Sequence, residues 1–173
     1  MTEKPNHLLC FGFGFSAQAL AASLPKDQWA ITGTSRTVQG CQSIRARGFA
    51  AKVFNDDTPV EPSFLDRVSH VVVSVPPGKT GDPVLKLHGQ HLAERARHIK
   101  WLAYLSTPGV YGDRQGGWVD ENSPLEPNTS RGSARLAAET GWLDLWRDAG
   151  LAVHLFRLAG IYGPGRNQLQ SLK

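Results

Sequence analysis

The chain has 173 residues, 40% of them hydrophobic and 20% charged, which fits one globular domain with a real core and excludes a disordered chain. No apolar run approaches the roughly 20 residues of a membrane span, and the opening MTEKPNH has no apolar signal region, so cytoplasmic residence is the expectation. The net charge of +4 comes with scattered arginines (Arg36, Arg45, Arg47, Arg95, Arg97, Arg131, Arg135) and no basic run interleaved with aromatics. That argues against a nucleic-acid surface and suits a phosphate-bearing small ligand.

Strand and helix signals then alternate. HLLCFGF (7–13) reads as an apolar strand and SAQALAASL (16–24) as an alanine-rich helix. WAITGTS (29–35) is a second strand, VQGCQSIRARG (38–48) a helix ending at Gly48, and FAAKVF (49–54) a short third strand. SHVVVSVPP (69–77) is Val-rich, bounded by prolines and too short for a helix, as a fully buried parallel strand would be. PVLKLHGQHLAERARHI (83–99) carries apolar residues near helical spacing behind a proline suited to a first turn. KWLAYLS (100–106) is a fifth strand, RGSARLAAETGWLDLWRDAG (131–150) a long helix closed by Gly150, and LAVHLFRLAG (151–160) a sixth strand. QLQSLK, at the end, begins a further element. The alternation predicts an α/β fold: a doubly wound parallel sheet with right-handed crossovers and helices on both faces. Residues 107–130 form a long loop after the fifth strand, at the end where open α/β sheets bind ligands.

The first turn carries the sharpest motif. Gly12, Gly14 and Ala17 give G-x-G-x-x-A between a strand and a helix, the context that a dinucleotide fingerprint requires. Gly12 allows the tight turn, Gly14 lets backbone approach a pyrophosphate seated on the helix N-terminus with Phe15 and Ser16, and Ala17 permits close helix packing. The alternative is a tight turn that binds nothing. An NAD site usually carries an acid at the end of the second strand, but GTSRT has none. Ser35 and Arg36, with Thr37, offer hydroxyls and a guanidinium to a 2′-phosphate, so NADP is expected over NAD. A solvated loop arginine is the alternative for Arg36.

Past the fingerprint, YLSTPGVYGD (104–113), RGSARLAAE (131–139) and FRLAGIYGPGRN (156–167) resemble the extended short-chain dehydrogenase/reductase superfamily, the NAD(P)-dependent epimerase/dehydratase group. The resemblance implies a Rossmann domain over residues 1–173 and hydride transfer at a carbinol or carbonyl carbon. It places Pro76 and Pro77 on the adenosine side of the cofactor and Thr107 at the family's Ser/Thr position, with Ser106 before it. It also exposes a departure. The family's proton-transferring Tyr and its Lys partner, in Y-x-x-x-K, fall on Arg131 and Arg135. A guanidinium stays protonated near neutral pH, so Arg131 cannot shuttle a proton, although Arg135 can still bond ribose or phosphate. An atypical enzyme and a non-catalytic NADP(H) sensor or scaffold therefore both stand as readings. Family members carry more chain after the sixth strand, including a small substrate domain, so a truncated form or a minimal cofactor-binding domain is expected.

Other residues carry plainer expectations. Cys10 and Cys41 have neither ligand spacing nor a disulfide framework and read as reduced thiols. His88, His91 and Glu94 share helical spacing, but a solvated or interface helix face is expected rather than a metal site. His7, His70 and His154 read as structural, and Asp120 and Glu121 as solvated loop acids. Tyr111, in the V-Y-G position, is not assigned as a base. Trp142 and Trp146, at i and i+4, are expected to share one face, either core or a homodimer contact.

Overall fold

Leu8, Leu9, Cys10 and Phe11 are almost wholly removed from solvent, because the strand that carries them, β1 (Asn6–Phe11), has a neighbour on each side and helices above and below. The computed structural model describes residues 5–167. The terminal QLQSLK lies outside them.

In chain order β1 is followed by α1 (Phe15–Ser23), β2 (Trp29–Ser35), α2 (Val38–Arg45), β3 (Ala50–Val53), a one-turn α3 (Pro62–Leu65) and β4 (His70–Val73). Then come α4 (Pro83–Glu94), β5 (Trp101–Ser106), a 3₁₀ turn (Pro108–Tyr111), α5 (Ser130–Ala149) and β6 (Val153–Arg157). The six strands form one parallel sheet in the order β3-β2-β1-β4-β5-β6. The chain winds outward from β1 to β3, crosses back, and winds outward again from β4 to β6. That is the doubly wound arrangement, with its reversal between β1 and β4.

Strand side chains alternate between the two faces. Leu9, Phe11, Val71, Val73, Leu102 and Tyr104 pack with Leu65, Leu92, Ala138 and Trp142 on the side of α3, α4 and α5. Leu8, Cys10, Val72 and Ala103 pack with Ala17, Ala21, Cys41 and Ile44 on the side of α1 and α2. Each fully buried Leu, Val or Phe contributes about 1.5–3 kcal/mol. Both cysteines are buried free thiols, and burial pushes the Cys10 thiol up to about 12. On the second face no helix among the described residues covers β5 and β6, leaving an apolar groove of about 500 Å³ beside Leu20, Trp101, Leu105 and Phe156.

The helix starts are capped as their sequences allow. Asp82 Oδ1 accepts from the N–H groups of Val84 (2.8 Å) and Leu85 (3.0 Å), and Thr129 Oγ1 accepts from Gly132 N–H at 3.0 Å. Asp82 is buried. Burial pushes its carboxyl above the usual range, against the pull of those bonds, of the Trp142 indole and of the Arg135 charge.

Three sequence expectations are corrected. The Val-rich strand stops at Val73, so Pro76 and Pro77 lie beyond it rather than within it. His88 is not on a solvated face: it is 3% exposed, its Nε2 accepts from Val60 N–H at 3.3 Å, and its ring packs against those of Phe11 and Phe54 in a three-ring cluster. Burial holds it down to about 4, with a smaller contribution from His91. Trp142 and Trp146 do not share an environment. Trp142 is fully buried beside Tyr104 and donates to Asp82, whereas Trp146 is 54% exposed near the helix end. No group of His, Cys, Asp and Glu among the described residues could hold a metal ion.

His88 makes stability depend on pH. Its folded pKa lies below the usual 6.5, so the unfolded chain binds the extra proton between those values. The contribution is complete above pH 6.5 and is lost as pH falls toward 4. Urea unfolding should show wild type losing on the order of 2 kcal/mol relative to His88→Gln across that window, since glutamine keeps an acceptor and does not titrate. Parallel pH curves for the two proteins would contradict it.

Candidate functional site

The chain must leave β1 at Phe11 and start α1 at Phe15, which requires a sharp turn. Gly12 makes it at φ +82°, and a Cβ there would stand 2.6 Å from Ser74 Oγ. The flanking strands pin the turn from both sides. Thr34 Oγ1 accepts from Gly12 N–H at 2.8 Å, and Ser74 Oγ donates to the carbonyls of Phe11 (3.1 Å) and Gly12 (3.2 Å). Gly14 is the N-cap of α1 and has no side chain with which to cap it, so the first N–H groups of the helix keep their bonding capacity for something else. Nothing lies within 4 Å of the place its Cβ would take. Ala17 is buried where α1 lies against the sheet.

Three cavities meet along the C-terminal ends of the strands. The first, about 660 Å³, is bordered by Gly12, Ser35, Arg36, Pro76 and Pro77. The second, about 300 Å³, is bordered by Gly14, Phe15, Ser16, Ala17, Thr107 and Arg135. The third, about 740 Å³, is bordered by Pro76, Pro77, Lys79, Thr107, Arg131 and Arg135. Thr107 and Arg135 border the second and third, and the two prolines border the first and third, so the three form one groove. Every residue given a cofactor or catalytic role in the sequence lies along it except Thr37, whose hydroxyl caps α2 by accepting from Gly40 N–H at 3.1 Å.

The charges along this groove are unevenly matched. The guanidiniums of Arg36 and Arg131 and the Lys79 ammonium make no hydrogen bond or ion pair among the described residues. Arg135 is held in place, its Nη1 donating to Leu105 O (2.7 Å) and Tyr104 Oη (3.2 Å), but both partners are neutral. Burial pushes the Tyr104 hydroxyl up to about 12, against the Arg135 charge. Thr107 Oγ1 accepts from Gly109 N–H at 3.2 Å and caps the 3₁₀ turn.

Sequence reasoning did not single out several groove residues. Ser106 Oγ is buried, borders the second cavity and has no hydrogen-bond partner. Such an orphan costs about 1–3 kcal/mol unless a ligand bonds it. Lys79 had no motif around it. Thr34 and Ser74 could have been found as hydroxyls at the ends of the two strands flanking β1.

Tyr111 is bound elsewhere. Its hydroxyl accepts from Arg157 Nη1 at 2.7 Å, and Arg157 also makes a forked pair with Glu139 (Nη2 to Oε2, 2.8 Å). Glu139 is 1% exposed. Hydrogen bonding to that carboxylate raises the Arg157 pKa further. Removing one member of such a buried pair costs about 3–5 kcal/mol. Asp120, by contrast, bonds only its own loop, through Ser123 and Asn122, which holds its carboxyl below the usual range.

A doubly wound parallel sheet with a glycine turn at its reversal point defines a nucleotide-binding α/β protein. The match to known families is narrower: residues 86–172 fit the NAD dependent epimerase/dehydratase family, and the chain belongs to it. It is 30% identical over 165 residues to Protein YeeZ of Escherichia coli (strain K12), a match covering 90% of this chain and 59% of that protein. It is 43% identical to a conserved protein of unknown function from Silicibacter pomeroyi DSS, with a TM-score of 0.83 over 93% of this chain and 56% of that one. The UDP-glucuronic acid 4-epimerase of Bacillus cereus, solved with UDP-glucuronic acid and NAD, shares the fold at 19% identity, with a TM-score of 0.73 over 91% of this chain and 57% of that one. The chain thus spans less than two thirds of the length of these relatives. No helix among the described residues is long and apolar enough to cross a membrane.

The two glycines of the turn should separate in the laboratory. Gly12→Ala meets both the positive φ and Ser74 Oγ, and should lower stability by about 2 kcal/mol in thermal or urea unfolding. Gly14→Ala has room, and should stay within about 0.5 kcal/mol of wild type. It should nevertheless weaken nicotinamide dinucleotide binding at least about tenfold, because its methyl stands where a pyrophosphate would approach. Undiminished dinucleotide affinity in Gly14→Ala would remove the turn from the binding site.

Proposed function

We propose that this chain is the dinucleotide-binding part of an NADP(H)-dependent oxidoreductase or epimerase-like protein of the cytoplasm, with an active site that departs from its family's usual one. The observation that carries the reading is the continuous groove in which the cavity at Arg36 and Gly12 and the cavity at Gly14, Thr107 and Arg135 are joined through the third, beside Pro76, Pro77 and Arg131. A nicotinamide dinucleotide fits the residues there. Gly14 leaves open space, Ser106 Oγ lacks a partner, and Arg36 has no counter-ion. The first cavity sets two cations, Arg36 and Lys79, against one carboxylate, Asp56, which favours a 2′-phosphate over a bare ribose hydroxyl.

In this reading Ser35 and Arg36 receive the 2′-phosphate, and Pro76 and Pro77 flank the adenosine side. Phe15 and Ser16 lead the helix turn beneath the pyrophosphate, and Arg135 bonds ribose. The dinucleotide, when bound, supplies or accepts hydride. Thr107 orients the substrate oxygen and Arg131 stabilises negative charge forming on it. With arginine at the tyrosine position, the accompanying proton exchanges with water at the exposed mouth of the groove.

A second reading, a sensor or scaffold that binds NADP(H) without turning it over, is favoured by one observation. None of the three tyrosines borders the three cavities. The Tyr104 hydroxyl is bonded to Arg135, Tyr111 to Arg157, and Tyr162 lies beside the apolar groove, which adjoins the second cavity at Ser16, Ala17 and Leu105.

Titration with NADPH and NADH tests the first step. NADPH should bind at least about tenfold more tightly, and Arg36→Ala should erase most of that preference. Binding of neither nucleotide would overturn the cofactor reading, and a preference that survives in Arg36→Ala would remove that residue's role. Hydride exchange with a panel of carbonyl substrates then separates the readings: turnover supports the oxidoreductase, and binding without exchange supports the sensor.

A further inference from the structure

The third cavity differs from the rest of the groove in its charge. Lys79, Arg131 and Arg135 border it, and no carboxylate does. Lys79 and Arg131 have no partner, and Arg135 is bonded only to a carbonyl and a phenol. Elsewhere in this chain some cations are paired with acids, and others, such as Lys26, Arg47 and Lys86, stand at the surface without an ion pair among the described residues. Arg114 meets Glu126, Arg147 meets Asp144, Lys52 meets Glu61, and Arg157 meets Glu139. Three cations and no carboxylate give this cavity a positive potential that favours an entering anion.

The positions of these cations narrow the ligand. Thr107 and Arg135 border both the second and third cavities, and Pro76, Pro77 and Lys79 border both the first and third, so the third lies alongside the dinucleotide site and opens from it at Thr107. Arg131 occupies the position at which the family places the residue that touches the reacting oxygen. Resting on the dinucleotide reading, we infer that the third cavity takes a hydroxy or oxo compound carrying a carboxylate or phosphate close to its reacting carbon, with Lys79 and Arg131 holding that anionic group. At about 740 Å³ the cavity lies in the range of small-molecule sites and admits a monosaccharide-sized acid or phosphate ester. Arg131 is then a specificity residue: the charge that replaced a proton carrier selects the substrate. A guanidinium suits a carboxylate or phosphate through two parallel hydrogen bonds, and the ammonium of Lys79 adds a mobile point charge.

The test uses three probes of similar size: D-glucuronate, D-glucose 6-phosphate and neutral D-glucose. Each is titrated calorimetrically into the chain with and without saturating NADPH, using wild type, Lys79→Gln and Arg131→Gln, with folding checked by circular dichroism. The expected result is binding of at least one anionic probe, no binding of glucose, and affinity reduced about tenfold or more in each variant. Stronger binding of the phosphate ester than of the glucuronate, or the reverse, identifies which anion the cavity prefers. Absence of anion binding by wild type up to about 10 mM, or equal affinity in wild type and both variants, overturns the inference. NADPH affinity, measured first on each protein, keeps the two failures apart. Loss of NADPH binding by wild type sinks the dinucleotide reading, while the titrations without NADPH still report on the cations.

Discussion

The placement of β1 between β2 and β4 is the constraint from which the groove follows. The chain leaves β1 toward β2 through α1, and later returns on the other side as β4. The two connections therefore depart in opposite directions and leave a crevice at the strand ends. A crevice alone would be a soft feature. Here the hydroxyls of Thr34 and Ser74, one from each flanking strand, hold the backbone at Gly12, so the turn sits at a fixed height over the sheet. The burial of Leu8 through Phe11 below it supplies the rigid base. Ligand-facing backbone is positioned by the core, and the open side of Gly14 is the result.

A second lock shapes the far end of the groove. Glu139 on α5, Arg157 at the end of β6 and Tyr111 in the 3₁₀ turn are joined by charge-assisted hydrogen bonds in a half-buried to fully buried setting. This ties the 3₁₀ turn that follows Thr107 to the helix that carries Arg131 and Arg135. The same network occupies the Tyr111 hydroxyl. A tyrosine close in sequence to Thr107 is thus committed to structure.

Much of this was legible in the sequence, for physical reasons. Strands buried on both faces read as short apolar runs, and helices between them read by period, so the element order and the parallel sheet follow from residues 7–160. The glycine turn was legible because only glycine tolerates φ +82° beside Ser74. Burial of single polar residues was not. His88 sits in a helix whose neighbours are charged, and only the approach of Val60, Phe11 and Phe54 from elsewhere in the chain encloses it. Trp142 and Trp146 look equivalent at four-residue spacing, yet the sheet reaches only the first. Lys79 carries no motif, and its place on the groove depends on how the loop after β4 runs.

The balance of charge gives the groove its character. The formal excess of +4 is not spread evenly, because most acids beyond the groove are paired with a base or solvated while Arg36, Lys79, Arg131 and Arg135 follow the line of the strand ends. A dinucleotide brings negative charge to the middle of that line and, if it carries a 2′-phosphate, to the Arg36 end. That still leaves Arg131, which borders only the third cavity, without compensation. In the proposed reading, an arginine at the tyrosine position has two consequences that oppose each other. It removes the group that would move a proton, and it adds a fixed charge that lowers the energy of an oxyanion or an anionic substituent beside Thr107. Chemistry that survives at such a site depends on stabilising charge rather than on relaying protons.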